Sequence, residues 1–90
     1  AVMVNFAAHP ETLWEDNTLV SPDYPGAFRR RIRDRTTSIP LFFSGDLGGM
    51  LTPDCPEEAG ERQRRAFADQ LGTAIADLCL KELSAAEPVA

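Results

Sequence analysis

Two short apolar runs, VMVNFAA (2–8) and IPLFF (39–43), are separated by a stretch that holds a single helical pattern. That spacing constrains the fold more than any other feature of the chain. A strand, a crossover helix and a second strand pack back on one another as parallel neighbours, and the connection is right-handed in nearly all such units. Val2–Ala8 is interrupted only by Asn5 and stops at His9-Pro10. Ile39–Phe43 is β-branched and aromatic, with Pro40 near its start, where a missing N–H costs a strand least. Between the runs, Ser21-Pro22-Asp23 is a helix start, and a helix is expected over 24–34. A second helix is expected over 57–84. There Phe67, Leu71, Ala74, Ile75 and Leu78 recur at three- and four-residue intervals, Arg, Gln and Asp lie opposite, and Pro88 stops the pattern.

The predicted class is α/β, a β-α-β-α segment with two parallel strands. Near-continuous apolar strands fit a sheet covered on both faces. Trp14, Leu19 and Val20, in the polar connection before the first helix, are expected to tuck back onto the body. The chain opens inside an apolar run, Ala1-Val2-Met3-Val4, and ninety residues lie at the low end of domain sizes. The reading is a piece of a larger domain, with further strands to pair with these.

A net charge of -5 and a pI near 4.7 argue against nucleic-acid binding, which wants a basic face. Arg29, Arg30, Arg31, Arg33 and Arg35 instead form the solvated side of a helix whose other side carries Tyr24, Phe28 and Ile32. No run approaches the roughly 18 apolar residues that span a bilayer. Cys55 and Cys79 are too few for a disulfide framework and have no metal-ligand spacing. Cys79 is expected to behave as a small buried hydrophobe.

Parallel strands have a functional consequence. Loops leaving their carboxyl ends gather on one edge of the sheet, where ligands bind in such folds. His9 leaves the first strand; Ser44-Gly45-Asp46 opens a glycine-rich loop over 44–56 after the second. The two exits are expected about 5 to 10 Å apart at sheet spacing. An imidazole at a strand exit can ligate a metal or act as a general base. It cannot bind zinc alone, since a catalytic zinc needs about three protein ligands. Ser44 is a nucleophile, a hydrogen-bond donor or simply a strand cap. Gly45, Asp46, Gly48 and Gly49 are expected to offer backbone N–H groups to an oxyanion or a phosphate, with Asp46 orienting a partner or capping the turn. Asn17 and Asp23 are further candidates for lining the site, although Asp23 is also a carboxylate favoured at a helix start.

The segments VNFAAHPETLWEDNTLVSPDYPGAFRRRI and IPLFFSGDLGGMLTPD, in this order and spacing, resemble the neutral/alkaline non-lysosomal ceramidase family and its bacterial homologues. The likeness covers residues 2 to about 54, and the last helix fits by position alone. It implies a piece of a larger mixed α/β catalytic domain that cleaves the amide of an N-acyl sphingoid lipid with a zinc-activated water. By that resemblance His9 is a zinc ligand and Ser44 takes part in catalysis. The family's other ligands, a second histidine upstream and a glutamate and tyrosine downstream, have no counterparts here. The resemblance also implies a lipid-like substrate, peripheral membrane contact and a secreted or periplasmic setting. Gly48-Gly49-Met50 stands where ceramidases proper have a shorter Gly-Asp segment, which marks a divergent branch. From the residues alone two alternatives stay open: another ester or amide hydrolase on the same scaffold, and a non-catalytic α/β domain that binds a small ligand through the glycine loop. The ninety residues by themselves are expected to be inactive.

Overall fold

A computed structural model describes residues 1–15, 17–46 and 51–86. The order is β1 (Val2–Phe6), α1 (Asp23–Arg35), β2 (Pro40–Ser44) and α2 (Glu61–Ala85). The strands pair in parallel, with Val2 opposite Pro40 and Phe6 opposite Ser44. The β-α-β-α class and the parallel pairing are as the sequence predicts.

Element bounds move by one to four residues, and α1 is longer by one residue at each end. β1 stops at Phe6 because the chain bends there, and the Ala8 N–H donates back to the Phe6 carbonyl at 3.1 Å. β2 is shifted one residue onward, so Ser44 is its last residue and not the first of the loop. α2 starts at Glu61, four residues later than the periodicity suggests. The preceding segment is a turn, in which the Ala59 N–H reaches the Pro56 carbonyl at 3.0 Å and the Gly60 N–H reaches Gln63 Oε1 at 3.1 Å. Pro88 lies outside the described residues.

The core forms where α1 and α2 pack on the sheet. Tyr24, Phe28 and Ile32 of α1 are fully buried and meet Val2, Ala68, Ile75 and Ala76, with Val4, Phe6 and Phe42 against them. The arginine-rich side of α1 points outward as expected, and two of its members reach α2: Arg30 pairs with Asp69 at 2.8 Å and Arg31 with Asp77 at 2.9 Å. Edge-on ring contacts link Tyr24 to Phe6 and to Phe42, at centroid distances of 5.9 and 5.6 Å.

The buried stripe of α2 differs from the expected one. Ala74 and Leu78 are exposed; the buried positions are Arg64, Ala68, Gly72, Ile75 and Ala76. The cause is the closeness of the two helices. A Cβ added at Gly72 would fall on the Tyr24 carbonyl oxygen and within 2.6 Å of Ala27 Cβ, so only small side chains fit along this crossing.

Two further expectations fail, the first of them in part. Leu19 and Val20 are exposed; Trp14, about half exposed, does lie back against the Arg64 guanidinium, and Thr12 and Leu13 are the residues of that segment that reach the interior. Among the described residues the helices cover one face of the sheet. Val2, Val4, Phe6, Pro40 and Phe42 point toward the helices, whereas Met3, Ile39, Leu41 and Phe43 are exposed, as strand alternation requires once both helices lie on one side. Among the described residues no helix is long and apolar enough to cross a membrane.

Candidate functional site

Parallel pairing delivers both strand exits to one edge, and the backbone then ties them together. The Gly45 N–H donates to the Phe6 carbonyl at 3.1 Å, and the His9 N–H donates to the Leu51 carbonyl at 2.7 Å. His9 is thus held against the far side of the glycine-rich loop while Ser44 ends the neighbouring strand. His9 is half-buried; Ser44 and Asp46 are exposed. Space at Gly45 is tight for a reason internal to the fold: a Cβ there would sit 2.6 Å from Oδ1 of the exposed Asn5 side chain, which would have to move, and 3.1 Å from Ala7 Cβ. The close backbone approach at this glycine is to β1. Gly48 and Gly49 lie outside the described residues.

Asn17 and Asp23 are brought together elsewhere, in an open concavity of about 500 Å³ that Pro10, Trp14 and Ser21 also line. Both are occupied with structural bonds. One oxygen of Asp23, Oδ2, accepts the N–H groups of Thr12 and Leu13 at 2.9 and 3.1 Å, while Oδ1 accepts that of Tyr24 at 2.7 Å. Asn17 Oδ1 accepts from Arg65 at 2.7 Å, and its Nδ2 donates to the Leu19 carbonyl at 2.6 Å. Asp23 makes these bonds from a left-handed backbone, φ 51°, which a short polar side chain tolerates better than most.

Tyr24 carries a role the sequence reading missed. Its hydroxyl donates to the Ala8 carbonyl at 2.6 Å in the interior, one residue before His9. Burial, assisted by the neighbouring Asp23 charge, pushes the phenol up to about 12. Arg64 is the second omission. Its guanidinium is buried and donates to the carbonyls of Thr12, Pro56, Glu57 and Ala59 at 3.0 to 3.3 Å, while stacking 4.0 Å over the Trp14 ring. The arginine therefore ties the segment after His9 to the turn that precedes α2. Its one sequence signal was the four-residue spacing to Ala68, Gly72 and Ala76. Thr12 Oγ1, beside this cluster, is buried with no hydrogen-bond partner among the described residues. Burial also raises the Cys79 thiol, consistent with an inert hydrophobe.

No group of three or more His, Cys, Asp or Glu side chains able to hold a metal ion occurs among the described residues. His9 supplies one imidazole, so these residues do not fit a complete zinc site. No protein-family model matches the chain, and no curated protein or solved structure matches it either.

Proposed function

We propose that the chain contributes His9 and Ser44 to the active site of a ceramidase-like hydrolase, one that cleaves the amide of an N-acyl sphingoid lipid. The observation that supports the proposal is the backbone bonding of the two strand exits, Gly45 to Phe6 and His9 to Leu51, which brings the segments that carry His9 and Ser44 to one edge of the sheet. In this reading Ser44, exposed at the end of β2, is the group that touches the acyl carbonyl. His9 is one ligand of a zinc ion whose remaining ligands come from beyond the described residues. The Ser44 hydroxyl, exposed at this rim, is a donor that would meet an oxyanion.

The experiment is metal analysis of protein prepared with zinc, paired with hydrolysis of an N-acyl sphingosine and of a matched fatty-acid ester. His9→Ala is expected to abolish stoichiometric zinc, and Ser44→Ala to lower amide turnover about a hundredfold or more. Unchanged zinc in His9→Ala removes His9 from the site. Preference for the ester moves the assignment to another hydrolase on this scaffold, and full activity in both variants favours a non-catalytic binding domain.

A further inference from the structure

We infer that Tyr24 and Asp23, in the first turn of α1, are positioning residues that set the placement of His9 at the rim. This inference rests on the reading of His9 as a site residue. The imidazole segment is a bend, not a strand, so no sheet ladder fixes it beyond Phe6. Two of its anchors, one on each side of His9, come from α1. On the near side, the Tyr24 hydroxyl donates to the Ala8 carbonyl at 2.6 Å; on the far side, Asp23 Oδ2 accepts the Thr12 and Leu13 N–H groups at 2.9 and 3.1 Å. His9 therefore lies between two anchor points that belong to adjacent residues of one helix. Inside that span its own carbonyl accepts the Glu11 N–H at 2.9 Å, and its N–H is taken by Leu51.

The anchor is stiff because Tyr24 has nowhere to go. The ring has no exposed surface and is flanked by Phe6 and Phe42, one from each strand. Its hydroxyl is aimed at the backbone immediately before His9 and never meets the rim itself. A ligand at the rim would not touch it. Tyr24 thus reads out the position of the sheet, and the hydrogen bond transmits that position to the residue before the imidazole.

The test exploits composition, since His9 is the only histidine and Tyr24 the only tyrosine of the chain. Tyr24→Phe keeps the ring and removes the donor; Asp23→Gly removes the carboxylate without straining a left-handed backbone. The primary readout is the imidazole signal set of His9, assigned by its loss in His9→Ala, in long-range proton–nitrogen spectra of the full protein, recorded at one pH on samples that melt cooperatively. Displaced or doubled imidazole signals are expected in both variants, together with a fall of about tenfold in kcat and little change in KM on the N-acyl sphingosine. A purely structural role would lower the melting temperature and leave the imidazole signals in place, and that result overturns the inference. The spectra do not depend on turnover, so a protein without amidase activity would overturn the proposed function while the imidazole signals still decide this inference. Should Tyr24→Phe fail to fold, Asp23→Gly decides it by the same signals.

Discussion

Tyr24 shows how one residue can join the core to the rim. An unperturbed phenol titrates near 10.0, and burial raises this one to about 12. The folded chain therefore holds the proton over a range where the unfolded chain releases it. The resulting stability is whole below pH 10, declines as pH rises from 10, and is lost by 12, at up to about 1.4 kcal/mol per pH unit. Denaturant midpoints followed across this window should fall in the native protein and stay flatter in Tyr24→Phe. Equal slopes for the two proteins would show that other groups dominate the alkaline loss. Arg64 makes the complementary point. A buried guanidinium with a carboxylate partner is common; this one is satisfied by four backbone carbonyls and an indole face. The planar fork matches that set of acceptors, which a lysine ammonium on a flexible stem would not reach together.

At the scale of elements, the α1–α2 crossing governs the fold. Ala68, Gly72 and Ala76 line it, and a methyl group at Gly72 would meet backbone atoms of Tyr24 and Phe28 as well as Ala27. Backbone cannot yield cheaply. Gly72→Ala is therefore expected to destabilise by about 1–3 kcal/mol despite the better helix propensity of alanine. A thermal melt reads this as a drop of several degrees, and a raised melting temperature would mean the helices are further apart than described. The surface pairs across the same crossing matter less: Arg30 and Asp69 are each about two-thirds exposed, where an ion pair contributes roughly 0–1 kcal/mol.

For the whole molecule the asymmetry of the sheet is decisive. One face carries the core, and the other presents Met3, Ile39, Leu41 and Phe43. Two phenylalanines separate the faces. Phe28→Ala empties a fully buried site and is expected to cost about 3–5 kcal/mol, whereas Phe43→Ala, half exposed on the open face, should cost less than about 1 kcal/mol. Denaturant titration of both variants measures the contrast. A large loss from Phe43→Ala would show that the open face is covered in solution.

Much of the site's framework could be read from the sequence. Short apolar runs, breakers at their ends and one helix between them specify a parallel pair, and a parallel pair sends both exits to one edge by topology alone. That is why His9 and the Ser44 loop could be grouped without coordinates. The outward arginines of α1 followed from the same kind of local periodicity. Three things were decided only by the tertiary structure. The stripe of α2 that is buried depends on how near α1 comes, and proximity favoured Ala68 and Gly72 over the larger Leu78. The burial of Arg64 depends on carbonyls from two separate loops. The grip of Tyr24 on Ala8 spans sixteen residues of sequence. Periodicity describes one element at a time, whereas interhelical distance and long-range hydrogen bonds exist only once the elements have met.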